Sequence, residues 1–279
     1  MHPELVALVL VSAFLHASWG AVVKSSSDRL MATTVGVLVP ALICLVLARQ
    51  VTPPAIPAWP WLMASVALHQ AYYLFLLLAY RYGDLNQVYP IARGGAPLVV
   101  AAIAVLWLQE PMPPMRLAGM ALISAGLFAL AIDKRLFTRE GAIGVACAAA
   151  TALMIGTSTA IDYVGLQRAN STMGYIVWIN LMEAVLLVPL ALLVRRKALP
   201  RLPWRELPRQ MTAGIVVAAS YAMMLWALSL GAAAPVAALR ETSVVFAALI
   251  GAVFLREKMG HRRVTAAAVV ATGVLVMNL

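Results

Sequence analysis

Residues 79–112 read AYRYGDLNQVYPIARGGAPLVVAAIAVLWLQEPM, and residues 227–259 read ALSLGAAAPVAALRETSVVFAALIGAVFLREKM. Laid side by side, Gly83 falls on Gly231 and, after one skipped residue, Arg93 falls on Arg240, Leu108 on Leu255 and Glu110 on Glu257. Downstream, Arg116 falls on Arg263 and Gly126 on Gly273; upstream, Tyr73 falls on Tyr221. The chain repeats itself, and both copies place an arginine inside an apolar run.

The rest of the chain says what kind of unit repeats. Of 279 residues, 63% are hydrophobic and 11% charged, and the mean hydropathy is +0.90, far from the mix of a soluble domain. Windows of about twenty residues pick out ten apolar spans, at 4–23, 30–49, 59–82, 86–109, 113–133, 140–162, 172–194, 207–230, 233–256 and 262–279. Runs of Leu, Ala, Val and Met at this length fit helices, because a spanning backbone must satisfy its own hydrogen bonds. The expected fold is an all-α membrane protein of ten transmembrane helices, with one five-helix repeat over residues 1–135 and a second over 136–279. An odd number of spans per repeat points the halves in opposite directions, the inverted construction of many secondary transporters. The first span has no basic leader or evident cleavage site and reads as a permanent helix.

The net charge of +10 does not indicate nucleic acid. Apart from Arg93 and Arg240, sixteen of the nineteen remaining Lys and Arg fall in the breaks after spans 1, 3, 5, 7 and 9, leaving only Arg49, Arg116 and Arg168 on the other side. The positive-inside rule makes the crowded side cytoplasmic and both termini outward, in a cytoplasmic (inner) membrane of bacterial type. No folded domain accompanies the basic loops, so their partner is anionic lipid. Cys44 and Cys147 lie in apolar spans without a CxxC or a nearby His. They read as small buried hydrophobes, with no metal or disulfide.

The chain resembles a ten-helix member of the drug/metabolite transporter superfamily of the EamA-domain type. The likeness rests on YPIARGGAPLVVAAIAVLWLQEP and RLAGMALISAGLFAL, on their echoes LRETSVVFAALIGAVFLREK and RVTAAAVVATGVLVM, and on HASWGAVVK in the first span. The resemblance implies movement of small metabolites, commonly amino acids or related solutes, with helices 1, 3, 4, 6, 8 and 9 around a central cavity. It also implies cytoplasmic termini, opposite to the charge bias.

Candidate site residues follow from what the bilayer makes costly. Arg93 lies seven residues into its span, about 10 Å from that end, and Arg240 has the equivalent depth from the opposite face. The pair is expected to place one guanidinium near each mouth of a pathway, each able to hold a carboxylate or phosphonate. Snorkelling is the alternative for Arg93, and pairing with Glu241 or another helix the alternative for Arg240. Pro90 and Pro97 remove backbone donors, and Gly94 with Gly95 lowers helix preference. The fourth helix is thus expected to be weakened there and to act as a gate. Glu183 lies near the midplane of span 7 with Asn180 one turn earlier; it is a candidate proton carrier, or else a neutral structural carboxyl.

His69, Tyr72, Tyr73, Leu76 and Tyr80 share one face of span 3 and suit a cavity wall, with Tyr89 beside Arg93 and with Trp178, Tyr221 and Trp226 opposite. His16 and Trp19 complete the substrate-binding candidates, though a core histidine and interfacial aromatics are the plain alternatives. GAIGVACAAATALMIG (141–156) reads as scaffold for close helix approach.

These features favour a secondary transporter for a small zwitterion, amino acid-like by the resemblance, with a phosphonate-type or other organic anion as second reading. No HExxH, GxSxG or DxD supports an enzyme acting on lipid. No nucleotide loop or cofactor motif is present, so energy is expected from the solute gradient or coupled protons. The expected working unit is a monomer.

Overall fold

The structure is a computed structural model that describes residues 1–24, 26, 29–83, 85–132, 138–194, 205–253 and 260–278. Its helices are α1 (Pro3–Lys24), α2 (Arg29–Leu47), α3 (Trp59–Tyr82), α4 (Leu85–Leu106), α5 (Pro114–Ala131), α6 (Arg139–Gln167), α7 (Thr172–Val194), α8 (Leu207–Leu230), α9 (Ala233–Arg240), α10 (Ser243–Val253) and α11 (His261–Asn278). Among the described residues there is no strand. Eight stretches are long and apolar enough to cross a membrane, one of them spanning α9 and most of α10. Thr34–Leu47 and Val264–Asn278 are shorter apolar helices. Leu255 and Glu257, and the basic segments 195–204 and 254–259, lie outside the described residues.

Local chemistry sets several of the starts. Prolines stand in the first turns of α3, α5 and α8, where a missing N–H costs nothing. The Thr138 hydroxyl accepts from Gly141 N at 3.0 Å and caps α6. At 29 residues α6 is about 43 Å long, more than a bilayer core requires, so it accommodates by tilt. It continues five residues past the sequence-based limit of 162, which carries Asp162 into the helix body.

The two halves interlock. The helices α3 and α4 pack on α6, α1 packs on α8 and α10, α2 packs on α7 and α8, and α5 packs on α11. A β-carbon on Gly119 would lie 2.6 Å from the Gly273 carbonyl oxygen, and one on Gly273 would lie 2.7 Å from that of Gly119. One helical repeat away, a β-carbon on Gly126 would approach Ala266 O to 3.2 Å. Backbone contact this close is how small residues bind helices in lipid. Between α1 and α8, Ser12 Oγ donates to Ser220 O and Ser220 Oγ donates to Ser12 O, each at 2.7 Å. Both serines are fully buried, so each hydroxyl finds its partner across the interface instead of water.

The weakened helix expected around Arg93 is found elsewhere. Helix α4 runs unbroken through Pro90, Gly94, Gly95 and Pro97. Its glycines serve contact. A β-carbon on Gly94 would meet Leu127 Cβ and Phe128 Cε1 at 3.0 Å, one on Gly95 would meet Ala152 Cβ at 2.8 Å, and Gly156 answers against Val99 and Ala96. Here tertiary packing overrides helix propensity. The interruption falls instead at Glu241–Thr242, between α9 and α10, which no proline or glycine marks. There Glu241 N and Thr242 N bond to Ala238 O and Leu239 O, one residue tighter than an α-helix, and the Thr242 hydroxyl also donates to Leu239 O at 2.8 Å.

Candidate functional site

The interrupted span presents Arg240, Glu241, Thr242 and Ser243 between α9 and α10, and Arg93 reaches them from α4. Its Nε lies 3.0 Å from Glu241 Oε2, and its Nη2 donates to Ser243 Oγ at 3.1 Å. Arg93 is 7% exposed and Glu241 3%, so this is a buried ion pair joining residue 93 of the first half to residue 241 of the second. Tyr89, Tyr72 and Tyr80 lie close enough to Arg93 for their charges to interact.

Arg240 does not take its neighbour Glu241 as an ion-pair partner. It lies within electrostatic reach of Arg93, His16, His69 and Asp162. The expectation of one guanidinium near each mouth is therefore corrected: Arg93 and Arg240 lie within electrostatic reach of each other, so both long side chains join one cluster.

A second carboxylate group forms the other wall. Asp162, 2% exposed, accepts from Tyr175 OH at 3.0 Å on Oδ1 and from Tyr221 OH at 3.1 Å on Oδ2. The Ser65 hydroxyl lies beside it. Glu183 approaches His69 Nδ1 at 3.4 Å, and the same nitrogen lies 3.0 Å from Ser65 O. A carbonyl only accepts, so Nδ1 carries the proton and Nε2 is the nitrogen left for other partners. Asn180 donates to Ile176 O within its own helix. His69 stacks edge-on with Tyr72 (6.5 Å) and Tyr221 (5.8 Å), and Tyr72 lies 4.6 Å from Tyr73.

The structure thus gathers His16, His69, Tyr72, Tyr73, Tyr80, Tyr89, Arg93, Glu183, Tyr221 and Arg240. His69, Tyr72, Tyr221 and Glu183 are only partly buried, as expected of groups lining a space. Three other aromatics are placed differently. Trp178 packs edge-on against Trp59 at 5.2 Å, Trp19 sits 5.5 Å from His16 with its Nε1 against Gly36 of α2, and Trp226 is 41% exposed and faces outward. Cys44 and Cys147 are unpaired and half-buried.

Asp162 and Tyr175 escaped the sequence reading. The span limit at 162 sets the aspartate at a helix end, where a charge is unremarkable. A single acid inside the apolar stretch 141–167 was the available signal.

Because Asp162 holds two tyrosine hydroxyls, Tyr221→Phe removes one hydrogen bond to a charged group. It is expected to cost about 1.5–3 kcal/mol, read as a lower thermal unfolding midpoint of the purified protein. Tyr72→Phe, whose hydroxyl has no bond to Asp162, is the control.

Glu110 has a different role from the arginine cluster. Leu108 N and Glu110 N fold back onto Ile103 O and Ala104 O, with Gln109 between them at φ 54°. That turn aims Glu110 Oε1 at Ala233 N, 3.2 Å away, so a first-half carboxylate caps α9. A cleft of about 480 Å³ opens there, lined by Glu110, Arg116, Tyr163, Gln167 and the Ser229–Ala232 turn. No residue of the arginine cluster lines it.

Residues 142–279 match the EamA-like transporter family. No curated protein matches the chain. Among solved structures 29 chains match. One crystal structure has a TM-score of 0.78 at 18% identity, covering 99% of this chain and 96% of its own. At that identity the likeness shows a shared fold along the whole chain and nothing about its ligand.

Proposed function

We propose, from the match of residues 142–279 to the EamA-like transporter family, that the protein is a secondary transporter carrying a small zwitterion, amino acid-like, across the membrane by alternating access. The observation that carries this reading is the Arg93–Glu241 pair. A membrane protein that buries charge from both ends of its chain in one cluster beside an interrupted span has the elements of a solute site.

Two five-helix halves, 1–135 and 136–279, related by inversion, are supported by matched contacts. In the repeat alignment Gly119 corresponds to Ala266 and Gly273 to Gly126, so the Gly119–Gly273 contact and the Gly126–Ala266 contact are the same contact seen from each half. The ends of α3 and α8 correspond likewise. Gly83 and Gly231 are both extended and both donate to the carbonyl four residues back. Gly83 abuts Gly144 of α6, and Gly231 abuts Leu5 of α1. Counting α9 and α10 as one span gives ten.

In this account the halves rock around the cluster, helix α4 moves as a rigid body, and the Glu241–Thr242 interruption supplies the give. Glu183, 3.4 Å from His69 and within electrostatic reach of Asp162, is the proton-coupling group. The chain works as a monomer in a bacterial-type inner membrane, with its termini outward by charge. Alternating access needs neither nucleic acid nor a cofactor, and an organic anion such as a phosphonate is the second solute class, favoured by the arginine pair. A membrane-embedded enzyme acting on lipid is the remaining alternative; catalysis without vectorial movement would establish it.

The test is solute movement by the purified protein in sealed liposomes, after a thermal-shift screen of amino acids and organic acids. A solute that binds only the folded state raises the unfolding midpoint according to its affinity. Glu183→Gln is expected to abolish dependence of uptake on an imposed proton gradient while leaving solute exchange intact. Unchanged proton dependence would remove Glu183 from the coupling.

A further inference from the structure

The two guanidinium groups of the chamber are not equivalent. Arg93 Nη2 donates to Ser243 Oγ, and its Nε, though without hydrogen-bond geometry, lies 3.0 Å from Glu241 Oε2, so its charge is balanced by a buried carboxylate in ion-pair contact. Arg240 has no ion pair within 4 Å among the described residues, and its Nε is buried without a hydrogen-bond partner. Two carboxylates stand in its field, Glu241 and Asp162. Glu241 is on Arg93, and both oxygens of Asp162 accept from tyrosine hydroxyls. Arg93 itself adds repulsion. A half-buried guanidinium with a buried, unbonded Nε has no anion in direct contact, and its fork fits a carboxylate with two parallel bonds. His16 Nδ1, buried and also without a partner, lies within reach of Arg240. The aromatic wall of Tyr72 and Tyr221 interacts with Arg240 as well.

We propose that Arg240 is the residue that binds the solute's carboxylate, and that Arg93 is a positioning residue that fixes the α9–α10 interruption through Glu241 and Ser243. This assignment rests on the reading of the chamber as a solute site and names which end of the solute meets which half. A solute carboxylate on Arg240 gives its guanidinium fork the direct partner that neither Glu241 nor Asp162 supplies. One directed at Arg93 would have to displace Glu241, which would then be buried without a counter-ion.

Guanidinium reactivity separates the two arginines without requiring the natural solute. The full-length protein in detergent is treated with phenylglyoxal, and adducts at Arg240 and Arg93 are followed by peptide mass spectrometry. Benzoate serves as the carboxylate probe and benzamide as its neutral counterpart. Arg240 is expected to react at least ten times faster than Arg93, to be protected by benzoate and not by benzamide, and Glu241→Gln is expected to make Arg93 reactive too. Equal rates, faster modification of Arg93, or equal effects of benzoate and benzamide would overturn the assignment. If Arg240 shows the expected pattern yet liposomes move no solute, the carboxylate site stands and the transport reading fails. Arg240→Lys keeps the charge but loses the fork, and it is expected to abolish the benzoate-dependent rise in unfolding midpoint while leaving the midpoint without benzoate unchanged.

Discussion

Arg93→Ala is expected to lower stability by about 3–5 kcal/mol, because removing one partner of a buried pair leaves the other as an uncompensated charge. Here the orphan is Glu241, 3% exposed and at the mouth of the helix interruption. Transport of every solute should fall together, since the lesion is in the shape of α9–α10 and not in one contact to substrate. The pair is separable from its surroundings by a double-mutant cycle. Arg93→Met with Glu241→Gln removes both charges at similar volume, and replacing such a pair by neutral groups is often tolerated. The double variant should recover most of the lost unfolding midpoint while remaining defective in transport. If single and double variants are equally unstable, the pair is not what holds the interruption.

The second large effect concerns the α5–α11 seam. Gly119→Leu would put a side chain where a β-carbon alone already meets the Gly273 carbonyl at 2.6 Å and Met277 N at 2.6 Å. Backbone atoms cannot rotate away as a side chain can, so the cost should sit at or above the top of the usual overpacking range, about 3 kcal/mol. Scanning fluorimetry and the yield of folded protein after detergent extraction report it. Gly20→Leu is the control, since nothing lies within 4 Å of a β-carbon there. A normal midpoint for Gly119→Leu would mean that α5 and α11 are not in backbone contact.

Much of the architecture is legible in the sequence because hydropathy acts over whole helices. The limits of α3, α7 and α8 agree with the apolar windows to the residue, since Pro, Gly and charged residues punctuate those ends. The windows fail where the third dimension decides. No proline or glycine marks the break at Glu241–Thr242; its local sign is the polar run Arg240–Ser243 inside an apolar span, and Arg93 arrives from 150 residues away. Conversely, the Pro and Gly cluster in α4 predicts weakness from propensity, but those glycines are occupied by Phe128, Leu127 and Ala152 and the helix is held straight through.

The candidate site was readable in the same uneven way. Arg93, Arg240, Glu183 and the tyrosine face of α3 stand out because a charge or a patterned aromatic is rare in an apolar run. Which charge pairs with which was not readable. Sequence adjacency suggests Arg240 with Glu241, whereas neighbours along a helix point about 100° apart and Glu241 turns to Arg93 instead. Asp162 was hidden by a boundary five residues short. Trp178 and Trp19 show that an aromatic on a plausible face packs against another ring or a neighbouring helix as readily as it lines a cavity.

The claim beneath all of this is that the two halves enclose a water-accessible chamber around Arg93, Glu241 and Arg240, open to one side of the membrane at a time. Single cysteines at Tyr72 and Ser243, in a chain with Cys44 and Cys147 replaced by Ala, can be exposed to a membrane-impermeant methanethiosulfonate from either face of sealed vesicles. Leu45, 60% exposed on α2, provides a lipid-facing reference. The account predicts labelling at both chamber positions, with a transported solute changing which face gives access, and no labelling at Leu45. Chamber positions as unreactive as Leu45 from both faces would contradict it.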